Sequence, residues 1–442
     1  MWPRLSLKIP FDKLGDGLNW FLQTTYGTVL QFLKNQLTSH ASAAAFYFLL
    51  SIGPLILLVI SLLNMSLINN PELSDRLFNF LTEFNEELNE DFFRTIGIFE
   101  SQVAISGLGF LGFLWTSRLI ISSIQSAFHV IFPSSRTRNF LWSNLLSMVL
   151  VPGVLTLLLL SALFNIIIRF LYNQLQVIIQ MEHVYEPLLY LSGWIVPLGL
   201  VFGLIFVCYR FLPLAKPNTW HALLGAGLFT LSIHGLRVIF VEFITLASYN
   251  YIYGSLGAVI FLLLWVYVIF LLFFLFAQFV EVAGQVDIFA LDRIIDPQNG
   301  SGGIGNRVET RLFTRSRRIF SKYSRKVRAG EVIYRQGDRH REIFYLYSGR
   351  VEYFDESKPD VATHLEDVEP GQFFGETAYL LQHSHIVATR AKEDSELLLV
   401  PPHVFESLLA HSPSVSRKVI KSLSLRLKQV ATGEQGGVAK PA

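Results

Sequence analysis

Long apolar segments dominate the first two thirds of the chain and limit what it can fold into. A helix that crosses a bilayer needs about 20 mostly apolar residues, because every backbone amide must be satisfied inside the segment. Such windows lie approximately at Ala43–Leu67, Val103–Val130, Phe140–Leu171, Pro187–Phe211, Trp220–Ala247 and Leu256–Val282. The sequence therefore predicts a polytopic α-helical membrane bundle of about six transmembrane helices.

The composition agrees with a membrane location. Of the 442 residues, 52% are hydrophobic and 16% are charged, whereas soluble domains carry about 25% charged residues. The net charge of +2 argues against a protein that binds nucleic acid over its whole surface. The single cysteine, Cys208, excludes an internal disulfide framework and a cysteine-based zinc site.

Basic residues alternate between the loops that join the predicted helices. Arg136 and Arg138 lie in the second loop and Lys216 lies in the fourth, whereas the loops at 173–186 and 248–254 contain no Lys or Arg. The first loop, 69–102, is rich in Asp and Glu. Because basic loops stay on the cytoplasmic side, this pattern predicts that both termini are cytoplasmic.

A further apolar pattern precedes the first predicted span. Leu14, Leu18, Phe21, Val29, Phe32, Leu33 and Leu37 recur at helical spacing. This pattern predicts an amphipathic helix, and two placements are open. The helix lies along the membrane interface, or it is a short helix packed on the bundle.

Ionisable residues inside apolar spans are costly and are therefore candidates for function. Arg118 lies in the second span, and His234 and Arg237 share one face of the fifth. Glu242 lies further along the fifth span, nearer its outer end. The functional interpretation is a polar pathway in which the basic residues meet an anionic solute or a lipid headgroup. The structural interpretation is that the arginines cap backbone carbonyls and hold helices together.

Four stretches of the membrane half carry a family resemblance. They are Ala41–Pro54 (ASAAAFYFLLSIGP), Trp115–Arg118 (WTSR), Tyr209–Pro213 (YRFLP) and Tyr253–Ile260 (YGSLGAVI), the last followed by Leu264 and Trp265. Through them the region of about 15–285 resembles the YihY / virulence factor BrkB family. The resemblance implies a multi-pass, six-helix protein of the bacterial inner membrane. The family was formerly labelled ribonuclease BN, and these residues give that activity no support.

A glycine-rich segment followed by a basic run separates this half from the rest of the chain. Residues 291–327 are predicted to be a flexible and basic linker that follows a membrane domain at 1–290. Arg315, Arg317, Arg318 and Lys322 are the candidates for contact with anionic lipid, at about 1 kcal/mol per basic residue near the surface. A solvated linker helix is the alternative.

From residue 328 the pattern changes to short β-rich runs separated by glycine turns. Ile343–Tyr347, Val351–Phe354 and Leu397–Val400 are typical of these runs. The spacing predicts a cytoplasmic β jelly roll with flanking helices over 328–431, followed by a disordered tail at 432–442. The segment after Leu399 is too short for a winged DNA-binding module, so the sequence predicts that DNA is not a partner.

Three motifs in this half resemble a cyclic-nucleotide-binding domain. They are Gly330–Asp338 (GEVIYRQGD), Phe344–Val351 (FYLYSGRV) and Pro370–Ala378 (PGQFFGETA). In that family the Phe-Gly-Glu segment presents backbone amides to the cyclic phosphate, and its glutamate bonds the ribose hydroxyl. The resemblance therefore implies a ligand pocket formed by Phe374, Gly375, Glu376, Thr377, His385 and Ile386.

The second half of this phosphate motif departs from the family pattern. His385 stands where relatives that bind a ligand carry an arginine, and Ala388 stands where they carry a hydroxyl. Arginine offers a permanent charge and a two-pronged grip, whereas histidine offers one donor and is mostly neutral at pH 7. No cofactor is assigned: weak binding of a cyclic nucleotide and a pocket that no longer binds one both remain open.

Two functions of different classes follow from these features. The first is a transporter or lipid- and solute-handling permease regulated through the cytoplasmic domain. The second is a non-transporting envelope scaffold whose degenerate sensor domain recruits protein partners. Because no catalytic motif and no metal motif is present, the sequence predicts that the chain is not an enzyme.

Overall fold

The computed structural model describes residues 15–67, 102–134, 182–243, 257–296, 312–313, 317–355 and 363–435. The chain divides into two compact units. One, the helical unit, is Thr28–Gly284. The other, the β-roll unit, consists of Met1–Gly27 and Gln285–Ala442.

Long apolar helices form the first part of the chain. In chain order they are α1 (Asp16–Lys34), α2 (Leu37–Leu67), α3 (Gln102–Ile131), α4 (Glu182–Phe211), α5 (Thr219–Phe243) and α6 (Gly257–Ile295). Helices α2 to α6 occupy five of the six predicted windows. The remaining window, Phe140–Leu171, lies outside the described residues, as do the loops at 69–101 and 248–254.

The helical character predicted for this region is confirmed, but the number of spans is not. Within the described residues, one helix, Val259–Ile295, is long and apolar enough to cross a membrane. Pro197–Phe211 is a shorter apolar helix. Six spans therefore stay a prediction.

Aromatic packing around α6 holds the helical unit together. Phe273 and Phe274 on α6 lie against Phe128 of α3, with ring centroids 5.7 and 6.5 Å apart. The buried Tyr209 of α4 donates its hydroxyl to the Phe273 carbonyl at 2.8 Å. This bond satisfies a polar group that lipid would leave unpaired, so it fixes α4 against α6.

Gly225 allows α5 to approach α6 closely. A Cβ at this position would lie 2.3 Å from Val280 Cγ2 and 3.3 Å from the Phe276 carbonyl oxygen. Small residues at helix interfaces are the usual means of close packing in membranes. Elsewhere on α6 Gln278, which is 2% exposed, accepts a hydrogen bond from the Asn35 side chain at 2.9 Å. Gln278 therefore serves packing inside this unit.

Two antiparallel four-stranded sheets form the centre of the β-roll unit. The strands are β1 (Ser324–Val327), β2 (Val332–Tyr334), β3 (Ile343–Ser348), β4 (Val351–Asp355), β5 (Thr363–Val368), β6 (Phe373–Phe374), β7 (Ala388–Ala391) and β8 (Ser395–Val400). One sheet has the order β1-β8-β3-β6 and the other has the order β2-β7-β4-β5. The accompanying helices are α7 (Arg317–Tyr323), α8 (Glu376–Leu381), α9 (Pro402–His411) and α10 (Pro413–Gln435).

These two sheets confirm the predicted β domain with flanking helices. Apolar residues from both sheets, among them Tyr334, Phe344, Val351 and Phe374, meet in one buried cluster. Gly349 makes the tight turn between β3 and β4 at φ +92°, and a Cβ there would lie 2.7 Å from the Ser395 Cα. Only glycine fits this turn, which fixes the pairing of the two strands.

The end of α6 is part of the β-roll unit. Leu291 and Ile295 are fully buried among side chains of this unit such as Phe405 and Val415. The Ile295 carbonyl accepts hydrogen bonds from the Tyr345 hydroxyl at 3.2 Å and from the Lys418 ammonium. The predicted flexible linker therefore differs from the structure at its start, because apolar residues at helical spacing continue α6 past residue 290.

Candidate functional site

The loop between β6 and α8 carries the first half of the predicted pocket. Phe374 is buried and stacks on Phe344, with ring centroids 5.2 Å apart. Gly375 has φ +78°, and a Cβ there would lie 3.1 Å from the Glu342 carbonyl oxygen. Since a side chain would be both strained and crowded, glycine is required at this position. Glu376 follows as the first residue of α8 and is completely buried.

His385 carries the second half of the pocket and is turned into the protein. Its ring stacks on Tyr334, with centroids 3.9 Å apart and planes inclined by 23°. Its Nε2 lies 3.1 Å from the His340 carbonyl oxygen. Because a carbonyl only accepts, Nε2 carries the proton in this contact. The backbone of His385 bonds Asp338 and Gly337 at 2.9 and 2.8 Å, which holds the loop in place.

The surroundings of His385 keep its ring neutral. Burial lowers the pKa of His385, the nearby His340 lowers it further, and the backbone bond to His340 and the Asp338 carboxylate only partly oppose this. At neutral pH the ring therefore carries no charge. It also lies 3.6 Å from the position that a Cβ of Gly375 would take, so it fills space next to the Gly375 backbone.

Arg390 on β7, the other basic residue near the predicted pocket, is also bonded within the protein. Arg390 forms an ion pair with Glu352, which is 6% exposed, and its guanidinium lies 4.9 Å over the Phe354 ring. Ile386, the remaining predicted contact, is 64% exposed, and Thr377 is half-buried. Neither His385 nor Arg390 thus offers a free cation to a phosphate. These residues do not fit a cyclic phosphate held in the way that the resemblance implies.

Sequence reasoning missed the partners of His385. Tyr334 ends β2 and His340 lies in the loop before β3, and no spacing rule pairs either of them with residue 385. The ion pair of Arg390 with Glu352 was detectable in principle, because the two residues face each other on adjacent strands. Finding it required the strand register, which the sequence did not supply.

The predicted polar residues of the helical unit lie on two helices, Arg118 on α3 and the other three on α5. Arg118 is exposed on α3. His234 and Thr230 line a cavity of about 490 Å³ between α4 and α5, together with Leu198, Phe202 and other apolar residues. Arg118 is not among the described residues that line this cavity. Arg237 and Glu242 belong to α5, but their side chains lie outside the described part of the chain.

The predicted lipid-contact residues need a correction at Arg318. Its guanidinium lies 2.6 Å from Asp287 Oδ1 and donates to Gln23 Oε1 at 3.1 Å, and its side chain is 16% exposed. Lys322 also bonds Asp287, although its side chain is 56% exposed. Arg318 is therefore used inside the β-roll unit rather than presented to lipid. The side chains of Arg315 and Arg317 are not among those described.

Comparison with known families decides the identity of the first part of the chain. The family model described as Virulence factor BrkB matches residues 28–291, more than half of the 442 residues. The chain belongs to the virulence factor BrkB family. Beyond the BrkB region, residues 324–412 match the model described as Cyclic nucleotide-binding domain. Both resemblances read from the sequence are confirmed, and BrkB membership makes this a membrane-associated protein.

Curated relatives match a limited part of the chain. Lysophospholipase NTE1 of Chaetomium globosum is 23% identical over 172 residues, which is 35% of this chain and 11% of that protein. Lysophospholipase nte1 of Aspergillus fumigatus is 29% identical over 105 residues, 24% of this chain and 7% of that protein. The BrkB-family chain thus spans about a tenth or less of the length of these relatives.

Solved structures similar to the BrkB-family chain also cover a small share of it. The Catabolite Activator Protein of Thermus thermophilus is 26% identical, covers 26% of this chain and 55% of its own, and has a TM-score of 0.24. The structure titled "A cyclic-GMP-dependent signalling pathway regulates bacterial phytopathogenesis" is 25% identical, covers 24% and 84%, and has a TM-score of 0.21. TM-scores this low support no inference about ligand or activity.

The relatives overturn one prediction about the BrkB-family chain. The sequence predicts that it is not an enzyme, and the curated relatives are named lysophospholipases, which are enzymes. That prediction is therefore wrong as it stands and is withdrawn. The similarity lies in the region of the cyclic nucleotide-binding domain. Lysophospholipase activity is accordingly a property of those relatives.

Proposed function

We propose that this BrkB-family protein is a permease for a solute or a lipid in the bacterial inner membrane, regulated by its β-roll unit. The proposal includes six spans and cytoplasmic termini. It is supported by the alternation of basic loops in the sequence and by the helices found at five of the six apolar windows. Family membership supports the membrane location.

The observation that carries the regulatory part is the continuity of α6. This helix runs from Gly257 to Ile295 without a break. Residues up to Gly284 belong to the helical unit, and those from Gln285 belong to the β-roll unit. Because a helix transmits displacement along its axis, a change in the packing of Leu291 and Ile295 would act on the apolar part of α6.

Polar contacts reinforce the end of α6 where the signal would enter. Asp287 bonds Arg318, Lys322 and the Tyr323 hydroxyl, and Asp292 accepts a hydrogen bond from Ser412. Charge-assisted bonds of this kind are among the stronger polar contacts in proteins. These bonds hold the end of α6 in one position. A fixed position is what coupling between the β-roll unit and the apolar part of α6 requires.

The cavity beside His234 supports the permease part. It is apolar apart from Thr230 and His234, and the hydroxyl of Thr230 is bonded to the Ala226 carbonyl at 2.8 Å. An apolar cavity that contains one imidazole suits an amphiphile better than a strongly hydrated ion. Arg118, Arg237 and Glu242 stay candidates for the polar pathway.

The geometry of His385 favours the second candidate, a scaffold whose β-roll unit recruits protein. The ring fills space beside Gly375 and is bonded within the protein, so this unit is better suited to docking than to holding a cyclic phosphate. Under this alternative the β-roll unit binds a protein partner, and the helical unit transports neither a solute nor a lipid.

Reconstitution of the full chain tests the two against each other. Proteoliposomes would be assayed for transbilayer movement of a fluorescent phospholipid and for chloride and phosphate flux, with protein-free vesicles as the blank. We expect movement of one probe, and we expect Asp287→Asn to change its rate, whereas Arg325→Ala, which removes an exposed ion pair with Glu331, leaves it unchanged. Absence of movement of all three probes by folded protein would favour the scaffold.

A further inference from the structure

Helix α1 has its polar and apolar faces reversed relative to a helix on a water-soluble domain. Four polar side chains are turned inward, beside the buried Phe32: Asn19, Gln23, Thr24 and Thr28 are at most 4% exposed. The side chains turned outward are large and apolar: Leu18, Phe21, Val29 and Leu33 are 50, 41, 50 and 65% exposed. A helix that met water on its outer face would show the opposite distribution.

The outer residues form one continuous stripe. Positions 18, 21, 25, 29 and 33 follow one another at three or four residues, so they lie on one side of the helix. The single polar member, Thr25, donates its hydroxyl to the Phe21 carbonyl at 2.9 Å. The stripe from Leu18 to Leu33 thus presents methyl, methylene and ring carbon atoms to its surroundings.

Contacts on the inner face hold the helix in this orientation. Gln23 donates to the Leu312 carbonyl at 2.8 Å and accepts from Arg318 at 3.1 Å, so both ends of its amide are used. Tyr26 lies edge-on to Phe313, with ring centroids 6.1 Å apart. Turning the helix to hide its apolar stripe would break these bonds and bury Leu18 and Val29 in exchange for Gln23.

We infer that the stripe Leu18–Phe21–Val29–Leu33 lies in the interfacial layer of a lipid bilayer, with α1 parallel to the membrane plane. Lipid is favoured over a second copy because α1 is followed, after a turn at Asn35 and Gln36, by α2 and the first predicted span. An apolar stripe on one side of a helix with a polar opposite side is the pattern of interfacial helices.

The contact anchors the β-roll unit to the bilayer surface, because Gln23 on the opposite face of α1 bonds Arg318 within that unit. The inference corresponds to the interfacial placement, one of the two that the sequence leaves open. Of the described members of the predicted pattern, Phe32 and Leu37 are buried and the others are exposed. The inference rests on the membrane location in the proposed function and does not depend on transport or on regulation.

Depth-dependent fluorescence quenching in the full chain tests this contact. The single native cysteine, Cys208, is 6% exposed, so wild-type protein serves as the labelling blank. Leu18→Cys, Val29→Cys and Leu33→Cys would each carry an environment-sensitive fluorophore in vesicles of phosphatidylethanolamine and phosphatidylglycerol. Arg339→Cys, in an exposed loop of the β-roll unit, is the matched control.

We expect brominated lipid to quench the three stripe positions and aqueous iodide to quench the control, with a blue-shifted emission at the stripe alone. Iodide quenching of the stripe equal to that of the control would overturn the inference. Protection from both quenchers would overturn it as well, because a protein surface would then cover the stripe, and cross-linking between Leu33→Cys copies would identify a second copy.

Should one variant fail to fold, the other two positions provide the same test. Loss of flux with quenching intact would count against the permease alone.

Discussion

The imidazole of His385 lies flat against the phenol ring of Tyr334, with ring centroids 3.9 Å apart. This contact joins the loop before β7 to the end of β2 and places an aromatic stack where the family resemblance implies a cation. His385 is 5% exposed, and its Nε2 is bonded to the His340 carbonyl. The residue that replaces the arginine is thus a packing element of the β roll.

Replacing His385 by arginine should create or strengthen binding of a cyclic nucleotide. Arginine supplies the permanent charge that the neutral ring lacks, and a charged hydrogen bond contributes about 1.5–3 kcal/mol. We expect His385→Arg to raise the affinity of the full chain for cyclic AMP or cyclic GMP by about 10- to 150-fold, measured by titration calorimetry. The double variant His385→Arg, Glu376→Gln is the control and should lose part of the gain. Equal affinity in wild type and His385→Arg would contradict this account of the pocket.

The stability of the β-roll unit should fall as the pH is lowered. Burial lowers the pKa of His385, and the backbone hydrogen bond to His340 opposes this only in part. Below about pH 6.5 the unfolded chain therefore binds a proton that the folded chain does not. The free energy of unfolding should therefore be constant above about pH 7 and decrease below about pH 6.5. Thermal unfolding of the full chain against pH measures this, and His385→Gln should flatten the profile. An unchanged slope in His385→Gln would assign the dependence to other groups.

Removal of the Asp287 carboxylate should destabilise the β-roll unit. Asp287→Asn weakens the contacts with Arg318, Lys322 and Tyr323, and it leaves the Arg318 guanidinium at 16% exposure without its counter-charge. We expect a loss of about 1–3 kcal/mol, seen as a lower unfolding temperature. Arg325→Ala removes a pair whose side chains are 45 and 40% exposed, and it should cost less than about 1 kcal/mol. Equal effects of the two variants would argue against a special role for Asp287.

A methyl group at Gly225 should loosen the packing of α5 on α6. The added Cβ would lie 2.3 Å from Val280 Cγ2 and 3.3 Å from a backbone oxygen, so one of the helices must shift. Overpacking of this kind costs about 1–3 kcal/mol. Gly235→Ala is the matched control on the same helix, since no atom lies within 4 Å of its Cβ position. The midpoint of thermal unfolding in detergent should fall for Gly225→Ala and stay or rise for Gly235→Ala; the reverse order would refute the close approach.

Much of the organisation was readable from local patterns. Helices occur at the apolar windows because hydrophobicity over about 20 residues is a property of the segment alone. The β roll follows from short β-branched and aromatic runs between glycines such as Gly349 and Gly375, whose positive φ angles the structure shows. The family motifs around Gly375 and Glu376 also lie within one short stretch of sequence.

Tertiary structure decided the features that depend on distant residues. Residues 334, 340 and 385 come together through strand order and register, which no local pattern encodes. Arg318 was a lipid candidate by charge, but its location beside Asp287 and Gln23 gives it another use. The sequence by itself determined which segments are helical, which form the β roll and which family the chain resembles, because these depend on composition and periodicity. Only the fold decided which face of α1 is exposed, where α6 ends and what His385 touches, because burial is set by neighbours far apart in the chain.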